Sequence, residues 1–245
     1  MYLKNKNILI TGAGKGIGEN SVKNFTDNGA YVYALIKNKK DNSKFSKIKN
    51  IKIFNGDASD KILIKKILNF SIKEKKIINC IVNNAGVRLR KKFLAVSDNE
   101  VKNVFKTNFF SVFNITQIFS KFWVQKKIKG NIVNIASIVG QVGFDELTVY
   151  ASSKGALISL TKSLATELSK YGIRSNSISP GFTKTSFYEK FKKKNKLHKW
   201  TISRIPQKRW GEPNEISNAI AFLLSDECKY INGENINVDG GWISS

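Results

Sequence analysis

The chain has 245 residues, of which 41% are hydrophobic, enough for one large core at a size common for a single α/β domain. Its formal charge is +24, carried by 37 lysines and only 5 arginines; the lysines are scattered and accompanied by many Asn and Ile, the composition of an AT-rich coding sequence. Specific nucleic-acid recognition is therefore not expected, since phosphate and base readers lean on the arginine fork.

The opening MYLKNKNILITG enters a strand almost at once, and no apolar run reaches the ~18 residues that span a bilayer. Neither a signal peptide nor a membrane partner is expected, and the cytoplasm is the expected location. NILIT (7–11) is a short apolar run ending in a glycine cluster, which predicts a buried strand. The cluster, ITGAGKGIGE, fails the Walker pattern and also fails GxGxxG, because Ile17 stands where the last glycine belongs. It fits TGxxxGxG through Thr11, Gly12, Gly16 and Gly18. Glycines there allow a tight turn and close approach of a pyrophosphate to a helix N-terminus; an ordinary strand–helix turn is the alternative. Ile17, Val22 and Phe25 give the next segment, 17–28, an inner helical face.

YVYALI (31–36), NIKIFNGD (50–57) and INCIVNNAG (78–86) predict the second, third and fourth strands. Cys80 lies within the fourth, far from Cys228; both are expected to be structural, and no metal-ligand spacing is present. Residues 98–127 form one long amphipathic stretch through Val101, Val104, Phe105, Val112, Ile115, Phe119 and Phe122. GNIVNIAS (130–137) is the fifth strand. Leu157, Leu160, Leu164, Ala165 and Leu168 recur at helical spacing in 149–169. RSNSISPG (174–181) is the sixth strand, 214–224 a helix through Ile216, Ile220, Leu223 and Leu224, and NINVDGG (235–241) the seventh strand. Segment 182–205 breaks the rhythm. It mixes Phe187, Tyr188, Phe191 and Trp200 with lysines and has the length of a substrate lid. Strands alternating with helices predict a doubly wound parallel sheet with helices on both faces, as one dinucleotide-binding domain over 1–245.

With a single histidine, His198, in the lid segment, proton transfer near neutral pH falls to another group. VYASSKGAL sets Tyr150 four residues before Lys154, so both share a helix face. A nearby ammonium is expected to favour the tyrosinate and bring the phenol into a useful range.

TGxxxGxG, NNAG (83–86), Ser137 thirteen positions before Tyr150, YxxxK and SPG (179–181), in this order, resemble the short-chain dehydrogenase/reductase family over essentially the whole chain. The resemblance implies a seven-stranded Rossmann sheet and an oxidoreductase that interconverts a ketone and a secondary alcohol with a nicotinamide dinucleotide. It implies Asn108, Ser137, Tyr150 and Lys154 as catalytic residues, Asn108 holding a water that resupplies the proton. Thr11, Gly12, Lys15, Gly16, Ile17 and Gly18 would line the cofactor, with Asp57 at the adenine and Asn84, Ala85 and Gly86 near the ribose. Asn83 would brace the sheet, Lys154 would also hold the ribose, and Pro180, Gly181, Thr183 and Thr185 would face the nicotinamide. Thr183 departs from the usual Ile or Val. Members using NAD carry an acid at the end of the second strand. Here Ile36 stands there, followed by Lys37, with Lys15 in the glycine loop, so NADP(H) is expected over NAD, although Asp41 lies close.

Two substrate classes remain open. The pattern resembles bacterial reductases of 3-oxoacyl chains on acyl carrier protein, yet Tyr171 stands where those often place a docking arginine. Arg88 and Arg90 after NNAG resemble arginines of sugar-acid dehydrogenases, and could bind a carboxylate or be solvated loop charges. A non-catalytic dinucleotide sensor is a remote third reading, because such proteins lose the Tyr or the Lys. The family also implies a homotetramer built on the helices at 98–127 and 149–169, the first unusually rich in phenylalanine (Phe109, Phe110, Phe113, Phe119).

Overall fold

Ile8 and Ile10 face one side of the first strand and Leu9 the other, and all three are fully buried. A strand buried on both faces needs helices above and below it. The computed structural model of the chain, which describes residues 2–185 and 188–245 (only the backbone at Lys190), shows that arrangement. Seven strands, β1 (Asn7–Thr11), β2 (Tyr31–Ile36), β3 (Ile51–Asn55), β4 (Cys80–Asn83), β5 (Asn131–Ile135), β6 (Arg174–Pro180) and β7 (Asn235–Val238), pair in the order β3-β2-β1-β4-β5-β6-β7. All pairings are parallel. The chain reverses direction across the sheet between β1 and β4, and a ligand crevice is expected outside the carboxyl ends of those strands.

Helices α1 (Gly16–Asp27) and α8 (Pro213–Leu224) cover one face through Val22, Phe25, Ile216, Ile220 and Leu224. Helices α2 (Lys61–Lys73), α3 (Asp98–Phe105), α4 (Ser111–Lys126) and α5 (Thr148–Leu168) lie on the other, where Ile64, Ile67, Ile115, Phe119 and Trp123 are buried. Both cysteines are buried, and burial pushes the Cys80 thiol up to about 12.

Two elements differ from the sequence reading. The stretch 98–127 is two α-helices joined by a π turn over Lys106–Phe110, not one helix. Apolar periodicity continues through the turn, so the pattern could not show it; π turns often mark functional positions. The segment 182–205 is built of two short helices, α6 (Tyr188–Lys192) and α7 (Asn195–Arg204), and Phe187 lies outside the described residues. A third apolar cluster, centred on Phe191, Ile205, Trp210 and Trp242, packs these helices against Ile138, Val139 and Leu147.

Candidate active site

Four elements converge at the carboxyl edge of the sheet. The first is the glycine loop. Gly12 and Gly16 have φ of +65° and +56°, which other residues adopt at a cost. A β-carbon on Gly18 would lie 2.3 Å from the Gly12 carbonyl, and one on Gly12 would lie 2.9 Å from the Ala85 Cα. The loop thus packs backbone against backbone, and Thr11 fixes it from behind. The Thr11 hydroxyl accepts hydrogen bonds from the Asn84 and Ala85 amides, while the Asn84 side chain donates to the Thr11 and Gly12 carbonyls. Helices α2 and α3 begin with side-chain caps, from Asp60 and Ser97, and at the start of α8 the Glu215 carboxylate accepts from the Glu212 amide. Helix α1 begins at Lys15 with no side-chain cap, so its first amides are available to an anion. These features fit the pyrophosphate of a dinucleotide, with Lys15 and Ile17 on the wall of the adjoining cleft.

The second element is the turn after β5. Ser137 precedes a 3-10 turn (Ile138–Gly140) and its hydroxyl accepts from the Val139 amide. The third is α5. A β-carbon on Gly140 would stand 2.8 Å from the Gly155 nitrogen, so the turn and the helix touch through glycine. Ser137 and Tyr150 both face the cleft, where the Ser137 hydroxyl pulls the phenol's pKa down against the upward push of burial. One turn later on α5, Lys154 is 4% exposed, and its Nζ donates to the Ile135 carbonyl at 2.6 Å.

The fourth element is the π turn. It carries Asn108, fully buried, whose Oδ1 accepts from the Val87 amide and whose Nδ2 donates to the Val87 carbonyl and to the Ser153 hydroxyl. Ser153 in turn donates to the Tyr150 carbonyl. Both its amide protons are thus spent on the protein, and the side chain ties β4's loop to α5. A β-carbon on Gly86 would lie 3.4 Å from the Asn108 Oδ1 and 3.6 Å from the Lys154 Nζ, so the three groups meet at one point. Asn83 braces the sheet as expected, donating to Asn134 and Thr116, while Asn134 donates to Thr161.

The protonation pattern also departs from expectation. Burial dominates at Tyr150 and raises its pKa, outweighing the opposite pull of Arg88 and the Ser137 hydrogen bond. Lys154 is 5.8 Å from the Tyr150 ring centre, and burial lowers its own pKa to about 8. Arg88 adds a second positive charge near the phenol, and burial outweighs its pull.

These groups line a cleft of about 380 Å³. Asn84, Gly86, Ser137, Tyr150 and Lys154 stand on its floor side, and Pro180, Gly181, Thr183 and Thr185 on the wall from β6. Thr185 closes over Gly16, whose β-carbon would meet the threonine at 3.2 Å. Apolar walls come from Val139, Phe144, Leu147, Phe182 and Trp210. The two loop arginines separate. Arg88 borders the cleft, whereas Arg90 is paired with Glu146 at 2.6 Å. His198 packs against the rings of Tyr188 and Trp210 and does not itself line the cleft.

At the far end of the crevice, Lys37 and Asp57 stand just past β2 and β3 and pair at 2.8 Å, which holds the Asp57 carboxyl at about 2. Sequence reasoning placed both there but missed the pair. It also missed Lys44, whose Nζ donates to the Gly14 carbonyl and pairs with Glu19 and Asp41. Asp41 rests on the glycine loop, its Oδ2 3.0 Å from where a β-carbon on Gly14 would be.

A family model described as enoyl-(acyl carrier protein) reductase matches residues 12–243. The chain is 34% identical over 250 residues to a 3-oxoacyl-[acyl-carrier-protein] reductase of Thermotoga maritima, covering 99% of this chain and all of that protein. It is 32% identical over 246 residues to a 5-keto-D-gluconate 5-reductase of Escherichia coli K12, covering 98% and 96%. Its structure matches a 4-hydroxyisoleucine dehydrogenase complexed with NADH at a TM-score of 0.92 and 35% identity, covering 98% and 99%.

Proposed function

Because the chain belongs to the short-chain dehydrogenase/reductase family, oxidoreductases acting on CH–OH groups with a dinucleotide cofactor, we propose that it reduces a 3-oxoacyl thioester to the 3-hydroxyacyl product with NADPH. The observation that carries this reading is the buried Tyr150 side chain beside Ser137 in a cleft with apolar walls. A carbonyl oxygen placed between these two hydroxyls gains a hydrogen bond from Ser137 and a proton from Tyr150. The nicotinamide supplies the hydride when bound. Lys154 holds the ribose hydroxyls and puts a positive charge behind the developing tyrosinate, and Arg88 adds a second. Asn108 acts through Ser153 to fix the backbone of Tyr150. Val139, Phe144, Leu147 and Trp210 exclude water from the reacting carbon and suit an acyl chain.

A second reading rests on one residue. Arg88 borders the cleft beside Tyr150, where it could meet a substrate carboxylate and favour a keto sugar acid. Following NADPH oxidation with acetoacetyl thioesters beside a panel of keto-sugars and keto-acids separates the two. Turnover confined to the keto-acids overturns the first reading.

For the cofactor we propose a preference for NADPH of tenfold or more. The fully buried Ile36 cannot hydrogen-bond a ribose, and Lys37 follows it with 72% of its side chain exposed. Its pair with Asp57 is solvent-exposed, worth about 1 kcal/mol or less, so a 2′-phosphate can recruit the ammonium. Asp41 opposes that phosphate, but Lys44 neutralises it. In fluorescence titrations, Lys37→Ala should raise the Kd for NADPH by about five- to tenfold and leave that for NADH within twofold. The effect should shrink as salt rises; equal Kd values for both cofactors in the unmodified protein would refute the preference.

For assembly we propose a homotetramer through α4 and α5. Phe110 and Phe113 are 55% and 42% exposed, and a cavity of about 590 Å³ between the two helices is lined by Phe113, Val124, Leu160, Leu164 and Tyr171. A monomer at micromolar concentration in light scattering would remove this proposal.

A further inference from the structure

A second cavity, of about 320 Å³, lies on the other side of Phe144 from the catalytic cleft, and Phe144 is a wall of both. Its remaining sides come from the loop at Asp145, from Trp200 and Arg204 on α7, and from Trp242 near the chain's end. The three rings form a connected set: Phe144 lies 6.1 Å from Trp200 and 6.5 Å from Trp242, and the two indoles are 5.8 Å apart. Trp242 is buried, so the floor is fixed, while Trp200 is 41% exposed at the lip.

Arg204 gives this cavity its charge. Its guanidinium stands 5.0 Å from the Trp242 ring centre and 5.9 Å from that of Trp200. Arg90 and Arg209 are each spent on a glutamate, and Arg174 on backbone carbonyls. Among the described residues no carboxylate pairs with Arg204; two indoles hold it instead. A guanidinium held by cation–π contact alone keeps its N–H donors for other partners, and their planar fork matches phosphate or carboxylate in bidentate fashion. Asp145 also lines the cavity and carries the opposite charge, so the attraction for an anion is confined to the Arg204 side.

We propose that this cavity is the distal half of the substrate site and takes the phosphate-bearing arm of a pantetheine thioester, with the arm along Phe144 and Trp200 and its phosphate on Arg204. The proposal rests on the 3-oxoacyl reading of the catalytic cleft. The ketone then lies at Tyr150 on one side of Phe144, and the arm leaves toward solvent on the other. A short sugar acid, bound wholly beside Arg88, has no use for this second cavity.

The test compares acetoacetyl-CoA with acetoacetyl-N-acetylcysteamine, a truncated thioester without phosphate, in the unmodified enzyme, Arg204→Ala and Arg204→Lys. The KM ratio, truncated over phosphorylated, should exceed ten in the unmodified enzyme, fall about tenfold in Arg204→Ala and keep an intermediate value in Arg204→Lys. A lower KM for acetoacetyl carrier protein than for acetoacetyl-CoA assigns the arm to a carrier, and the reverse assigns it to the free thioester. A readout independent of turnover is tryptophan fluorescence titrated with pantetheine 4′-phosphate. Saturable quenching is expected, weaker with pantetheine, lost in Arg204→Ala and in Trp200→Phe. Unchanged NADPH binding in each variant shows that it has folded. A KM ratio that Arg204→Ala leaves unaltered, or quenching indifferent to the phosphate, overturns the proposal. If the unmodified enzyme turns over keto-acids but neither thioester, the 3-oxoacyl reading fails, and the quenching titration still judges the cavity by itself.

Discussion

Tyr150→Phe is expected to lower kcat for carbonyl reduction by about 10³-fold or more while leaving the Kd for the dinucleotide within twofold. The ring stays, so the packing beside Ser137 is kept, and only the proton donor is lost. Positioned general acids contribute about 10²–10⁴-fold, and no second donor stands ready. Ser137 can hydrogen-bond the carbonyl oxygen, but a serine hydroxyl is a far weaker acid. Asn108 has both amide protons committed, and Lys154 donates a hydrogen bond to the Ile135 carbonyl. The pH profile of the unmodified enzyme sharpens the assignment. Burial raises the pKa of Tyr150 above its ordinary 10, so the acid is in its active form throughout the neutral range. Lys154, with a pKa of about 8, loses its charge first. Reduction should therefore be flat below about pH 8 and decline above it as the ammonium behind the developing tyrosinate is lost. Near-normal turnover by Tyr150→Phe would remove the tyrosine from the mechanism. A rate that climbs through pH 8 to 10 would show that the reactive form is the tyrosinate.

Why the sequence showed the scaffold and hid part of the site follows from where the information sits. Each strand is a run of four to seven residues bounded by turn chemistry, so β1 to β7 are visible in the sequence within a few residues. The glycine loop, NNAG, Ser137 and the Tyr–Lys pair were legible because each is local, with its meaning fixed by neighbours in the chain. Helix α2 passed without mention although Ile64, Ile67 and Leu68 follow helical spacing, because its exposed face is crowded with lysine and carries Ile62 in solvent. The π turn was hidden because one extra residue does not break an apolar pattern read over thirty positions. Long-range pairings were hidden for a stronger reason. That Arg90 would be captured by Glu146, 56 residues away, and Lys37 by Asp57, 20 residues away, depends on loop paths that no local spacing encodes. In a chain with 42 cationic side chains against 18 acidic ones, which cation finds a partner is decided in three dimensions. Arg88 and Arg90 are two residues apart and indistinguishable in the sequence, yet only one reaches the cleft.

Lys154→Met is expected to abolish useful turnover and at the same time to stabilise the fold at neutral pH. The ammonium is 4% exposed, and burial depresses its pKa from 10.5 to about 8. Between these two values the unfolded chain binds the proton and the folded chain does not, so stability rises with pH across that window. Below pH 8 both states are charged and the folded state carries the full desolvation cost, about 3 kcal/mol for a shift of this size. Methionine fills a similar volume without charge and removes that cost. It also removes the hydrogen bond to the Ile135 carbonyl, worth about 1.5–3 kcal/mol for a charged donor. The net gain at pH 7 should be up to about 1.5 kcal/mol, a rise in thermal midpoint of up to about 6 °C for a chain of this length. The gain should shrink as pH rises from 8 toward 10.5, where the native lysine becomes neutral in both states, and then reverse because the lost hydrogen bond alone remains. Comparing unmodified and variant proteins at each pH cancels the titrating groups remote from Lys154. The measurement is a pair of thermal melts without dinucleotide at pH 7 and pH 9.5, beside an NADPH titration that should show weakened binding. A variant less stable than the native chain by the same amount at both pH values would mean that the buried ammonium is fully compensated by its surroundings. The lysine would then be a structural asset, and not a group held against the fold's own preference to serve the reaction.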